Sequence, residues 1–247
     1  MFRPRIIPVL LLKDQGLVKS IRFGNHKYIG DPLNAVRIFN EFRADELIFL
    51  DIAASENARP ISVEFVRKVG EEARMPFAAG GGITSVSHIE EIIKAGAEKV
   101  IINSRAAEDP DFVKEAADKF GSTTIVVCID VRTDPSDSSP GWVMKRAGDP
   151  VEFARLMEEN GAGEIIIQSM DRDGTMSGYD IELIKAVSSS VSVPVVALGG
   201  AGKNQDLVDA YRDGYASGLA AGSLFVYQST NRGVLINYPD RNEIVFN

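Results

Sequence analysis

The chain has 247 residues, with 27 Lys and Arg against 35 Asp and Glu and a formal net charge of −8. That balance argues against a nucleic-acid partner, because phosphate-backbone sites need an excess of cations, although a local basic spot can still hold a small phosphate. The single Cys128 excludes an internal disulfide and suits a reducing cytoplasm, His26 and His88 stand apart from any metal-ligand cluster, and no apolar run is long enough to cross a membrane.

Arg5 opens the first apolar run, Ile6–Leu12, and Lys13, Asp14 and Gly16 close it as a turn. IIPVLLL behind two arginines imitates a secretion signal, but it is at the short limit for one and lacks a small-residue cleavage site. The helical pattern PLNAVRIFNEF follows, with Asp31-Pro32 as its start signal. Apolar runs and helical patterns then alternate: ELIFLDI and SVEFVRKVGEEA, MPFAAGGGI and SHIEEIIKAG, KVIINS and DFVKEAADKF, TIVVCIDV and VEFARLMEEN, EIIIQSMD and IELIKAVSSS, VPVVALGG and NQDLVDAYRDG. Ser85 and Asp149-Pro150 are further start signals, and Gly96, Gly121 and Gly214 are stop signals. SGLAAGSLF is the eighth apolar run. Residues 227–247 have no helical period, and Val234–Pro239 reads as extended chain.

Eight strands with helices between them predict an α/β fold, a (β/α)8 barrel spanning 1–247 as one domain, with an irregular tail from 227 in place of the last helix. A doubly wound open sheet is the rival arrangement. Leu11 and Asp130 are 119 residues apart, as are Gly80-Gly81 and Gly199-Gly200, and Ser104 and Ser223. One offset linking several strand ends predicts two duplicated half-barrels.

In such barrels the chemistry sits at the C-terminal strand ends. Two of these ends carry glycine clusters before a helix, GGGIT at 80–84 and GGAGK at 199–203. Glycines let backbone N–H groups approach an anion. Either cluster alone would pass for turn glycine. Paired, they predict two phosphate pockets, one using Gly81, Gly82, Asn103 and Ser104 and the other Asp173, Gly174, Gly200, Gly222 and Ser223. Asp130 is the candidate acid or base. Lys19, in the loop after the first strand, is a candidate lid cation or else plain surface. At the opposite end, Arg5, Glu46, Lys99 and Glu164 each stand at a strand start. Strand parity puts Arg5 on the face of Leu11, Lys99 with Asn103, and Glu164 with Gln168. Taken alone, these charges read as a solvated rim.

RIIPVLLLKDQGLVK, DELIFLDI, PFAAGGGI, EKVIINS, GAGEIIIQSMDRDGTMSGYD and GGAGK together resemble the cyclase subunit of imidazole glycerol phosphate synthase, from residue 3 to about 226. The resemblance implies a (β/α)8 barrel that docks a glutaminase on its N-terminal face and passes ammonia through the barrel to a bis-phosphorylated precursor of histidine. No cofactor and no metal are expected. The resemblance turns Arg5, Glu46, Lys99 and Glu164 into an ammonia gate and Asp130 into one of two catalytic aspartates. The first aspartate is replaced by Leu11, which can neither give nor take a proton. Leu198 stands where a phosphate-binding Ser is usual, and Gln168 where a Thr is usual. Asp14 lies three residues too far along to substitute.

These departures, with the tail GVLINYPDR, resemble a branch that works with a glutaminase and a separate sugar amidotransferase in bacterial surface polysaccharide synthesis. The expectation is a conduit subunit that hands ammonia from the glutaminase to an amidotransferase at its C-terminal face. The alternative is an active cyclase of histidine synthesis.

Overall fold

The computed structural model describes residues 3–14, 16–133, 142–144, 148–228, 233–240 and 243–246. Gln15 of the expected first turn, and residues 229–232, 241–242 and 247 of the expected tail, lie outside them. Strand β1 (Arg5–Lys13) leads into a hairpin, β2 (Gly16–Ile21) and β3 (Gly24–Gly30), and then α1 (Pro32–Phe42). Next come β4 (Leu47–Asp51), α2 (Val63–Glu72), β5 (Phe77–Gly80), α3 (Val86–Lys94), β6 (Lys99–Ile102), α4 (Ser104–Glu108) and α5 (Asp111–Phe120). The second half holds β7 (Ile125–Thr133), β8 (Trp142–Met144), α6 (Pro150–Glu159), β9 (Glu164–Ser169), α7 (Ile181–Ser188), β10 (Val195–Leu198), α8 (Asn204–Arg212) and β11 (Gly218–Ala221).

Eight of these strands pair in parallel in the order β1-β4-β5-β6-β7-β9-β10-β11. The sheet closes on itself through β1 and β11, with Arg5 opposite Gly218 and Pro8 opposite Ala221. Closure excludes the open doubly wound sheet. The helices start where their sequences say: the side chains of Asp31, Ser85 and Asp149 accept hydrogen bonds from the first-turn amides of α1, α3 and α6. Alternation along each strand divides the apolar residues into two cores. Outward-facing residues such as Ile6, Leu10 and Phe49 pack under the helices. Inward-facing residues, among them Ile7, Ile48, Ala78, Ile101, Val126 and Ile166, fill the barrel axis.

Three features depart from the expected pattern. The β2–β3 hairpin turns through Arg22 and Phe23, both left-handed (φ 52° and 62°), where the usual hairpin signal is glycine or asparagine. Gly24-Asn25 follows one step late, so the sequence does not announce the hairpin. The half-barrel repeat changes register at the glycines. A Cβ on Gly81 would meet Asp51 O at 2.5 Å, and one on Gly199 would meet Ser169 O at 2.5 Å. These environments match at an offset of 118, not 119, which pairs Gly81-Gly82 with Gly199-Gly200 and Gly80 with Leu198. Finally, β11 leads into a 3-10 turn (Ser223–Phe225), then β12 (Tyr227–Gln228) pairs antiparallel with β13 (Gly233–Val234). Among the described residues no helix follows β11. Tyr238, Ile244 and Phe246 are buried and join the outer core.

Candidate functional site: the two mouths of the barrel

At the N-terminal mouth Arg5, Glu46, Lys99 and Glu164 form one closed ring of alternating charge. Arg5 is paired with Glu46 and lies 2.6 Å from Glu164, while Lys99 lies 3.1 Å from Glu46 and 2.5 Å from Glu164. Four strands set this geometry by bringing inward-facing residues to one height. The carboxylates are 5% and 8% exposed, against 29% for Arg5 and 20% for Lys99. Burial works against the Arg5 guanidinium, but Glu164 and Glu46 outweigh it and hold its pKa above the ordinary value. The solvated-rim reading of these four charges is therefore wrong. Buried carboxylates are tolerated here because each touches two cations.

Above the ring the axis is apolar until the C-terminal mouth. There Asp130 is the last inward-facing residue of the β7–β9 ladder, directly across from Gln168 on β9. Asn103 Nδ2 donates to the Asp130 carboxylate at 2.9 Å, and the Cys128 thiol lies 3.8 Å from it and 3.9 Å from Gln168 Oε1. Burial, and next the Asp130 charge, push the Cys128 thiol well up, so it stays protonated. Leu11 stands opposite Leu50 and Val18 in the sheet. Asp14 lines a separate groove with Lys13, His26 and Tyr28.

Lys19, Asp173, Gly174, Gly200, Gly222 and Ser223 all line one cavity, which also takes in Leu11, Gln168 and Leu198. Lys19 is not an exposed loop residue. It sits on β2, 4% exposed, with Nζ donating to Val9 O at 2.7 Å. A Cβ on Gly222 would lie 2.5 Å from that Nζ, so the lysine reaches into the second glycine pocket. Burial pushes Lys19 down to about 8 against the pull of Asp173. Burial likewise raises Asp173, against the Ser20 hydrogen bond and the Lys19 charge. Both shifts run toward the neutral forms, so desolvation outweighs the attraction within this pair. Gly81 and Gly82 lie elsewhere, at the end of β5, and Ser104 begins α4. Gly82, at φ +63°, is pressed against the chain, since a Cβ there would be 1.9 Å from Arg59 O.

The hairpin is latched over this mouth. Ser20 Oγ donates to Asp173 at 2.7 Å, Arg22 N–H to Asp173 O at 2.9 Å, and Arg22 Nε to Asp171 O at 3.1 Å. Ser20 and Arg22 were not legible as site residues, because their partners are about 150 positions away. Tyr179, also not singled out, is buried and donates to Ala220 O at 2.8 Å, which fixes the strand beside Gly222.

A sequence profile of the family described as "Histidine biosynthesis protein" matches residues 5–231. A Pseudomonas aeruginosa protein, provisionally named as an imidazole glycerol phosphate synthase subunit, is 46% identical over 99% of both chains. A Leptospira borgpetersenii protein with the provisional name of the HisF subunit is 45% identical over 97% of this chain and 96% of its own. One from Vibrio vulnificus, also named provisionally as a subunit of that synthase, is 41% identical over 98% and 95%.

Proposed function

We propose that this chain, which belongs to the histidine biosynthesis protein family, serves as the ammonia-conducting barrel subunit of a glutamine amidotransferase complex. The observation that carries the reading is the closed charge ring at the foot of an apolar axis, beneath a mouth where Leu11 faces the cavity in place of an acid. A glutaminase docked on the N-terminal face would release ammonia at the ring. Neutral ammonia enters an apolar bore at small cost, whereas a bare ammonium ion does not. Opening one ion pair of the ring would admit it, and the remaining pairs would keep the other charges matched.

At the far end the retained chemistry is incomplete. A cyclase on this barrel needs two acid–base groups. Asp130 is one, and Leu11 occupies the place of the other. Asp51 is paired with Arg59, and Asp173 is engaged in holding the hairpin through Ser20. The product of this subunit is therefore delivered ammonia. The acceptor, on the strength of the sequence resemblance, is a sugar held by a separate amidotransferase at the C-terminal face, in surface polysaccharide synthesis. The cavity with Lys19 would hold a phosphorylated small molecule or the partner's anion.

The test is direct. The purified barrel, given ammonium salt and the bis-phosphorylated histidine precursor, should cyclise it about 10²–10⁴-fold more slowly than a relative with both aspartates, which is the usual cost of one acid–base group. The same barrel should stimulate its glutaminase. Turnover near that of a two-aspartate relative would overturn the conduit reading in favour of the cyclase.

A further inference from the structure

With no helix after β11 among the described residues, the tail covers that part of the barrel wall. A cover needs only apolar side chains, and Tyr238 supplies more. Its ring packs on Phe225 and edge-on to Phe39, with centroids 5.6 and 6.4 Å away. Its hydroxyl extends to the foot of the barrel, where it donates to Ile6 O at 2.9 Å and accepts from Asp45 N–H at 3.1 Å. Ile6 N–H in turn donates to the Asp45 carboxylate at 3.0 Å. The three residues close a small cycle of hydrogen bonds.

This cycle sits where the sheet does not yet join β1 to β4. Arg5 N–H points to Ser217 O on the β11 side, so the backbone groups of Ile6 face the β4 side. The β1–β4 ladder begins higher up, at Val9 and Ile48. Below it, Tyr238 and Asp45 make the junction. Ile6 follows Arg5 and Asp45 precedes Glu46, and Arg5 and Glu46 are paired in the ring. We propose that Tyr238 is a positioning residue for the charge ring. Its hydroxyl fixes the two strand starts that carry Arg5 and Glu46, so the tail that covers the wall also braces the mouth.

The proposal takes from the conduit reading only the purpose of the ring, and the experiment separates the two. Tyr238→Phe keeps the aromatic ring and removes the hydroxyl. In protein labelled at arginine, the Arg5 guanidinium protons should exchange with water about tenfold faster in this variant, the effect of losing one net hydrogen bond. Phe246→Leu loosens the tail where it packs on Tyr211 and leaves the hydroxyl in place. It should lower the melting temperature without speeding Arg5 exchange. Unchanged Arg5 exchange in Tyr238→Phe, or an equal rise in both variants, overturns the proposal. If Tyr238→Phe does not fold, the unaltered protein decides. The Asp45 amide and the Arg5 guanidinium must open with the same temperature dependence, and unrelated rates overturn the brace. Nitrogen delivered per glutamine in the complex tests the conduit separately: faster Arg5 exchange with unchanged delivery upholds the brace and defeats the gate.

Discussion

Lys99→Met probes the ring most directly, because Lys99 bridges Glu46 and Glu164, at 3.1 and 2.5 Å. Met keeps the stem and deletes the charge. Removing one partner of a buried ion pair typically costs about 3–5 kcal/mol. Arg5 remains bonded to both carboxylates, and Lys99 is one-fifth exposed. The loss should therefore fall at or just under the low end, about 2–3 kcal/mol at neutral pH. Two carboxylates then share one guanidinium. Urea unfolding at neutral pH measures the cost. The double variant Lys99→Met/Glu46→Gln restores charge balance and should regain part of the loss. A cost below about 0.5 kcal/mol, the size of a solvent-exposed pair, would refute the argument that the ring is a desolvated unit.

Lys19→Met should stabilise the protein. Lys19 titrates at about 8 when folded against an ordinary 10.5, so the unfolded chain binds more protons between those values and stability rises with pH across them. Each tenfold loss of proton affinity on folding costs about 1.36 kcal/mol. At neutral pH the variant should therefore gain up to about 3 kcal/mol, and the gain should fade between pH 8 and 10.5. A gain constant over that window would mean that no ammonium is buried there. Gly174→Ala should lift the hairpin, because its Cβ would fall 2.0 Å from Ser20 O at a φ of +67°. Amide exchange should quicken across residues 16–30 while the barrel strands stay protected, and an unchanged hairpin would refute the latch.

The sequence by itself determined the layers of this protein. Periodicity and capping marked eight strands and the seven longer helices, because the face a side chain takes is fixed by local geometry at 2.0 or 3.6 residues per repeat. The same parity put Arg5, Lys99 and Glu164 on the faces of Leu11, Asn103 and Gln168, and the family resemblance, not the parity, marked Leu11 as standing in the place of an acid. Local rules do not specify who meets whom. The five-residue helix α4 escaped them because it is too short to show a period, and the hairpin because its turn carries Arg22 and Phe23 in place of glycine. Whether four strand-start charges lie in solvent or close a ring depends on the register of contacts between residues 41 to 159 positions apart. Lys19 changed from a surface cation to a buried one because the hairpin folds inward onto Asp173. Tyr238, 232 residues from Ile6, came to the ring's edge only when barrel closure set β1 and β11 side by side. Burial outweighs the attraction between Lys19 and Asp173, whereas at Arg5 two carboxylates outweigh burial, and that balance belongs to the tertiary structure alone.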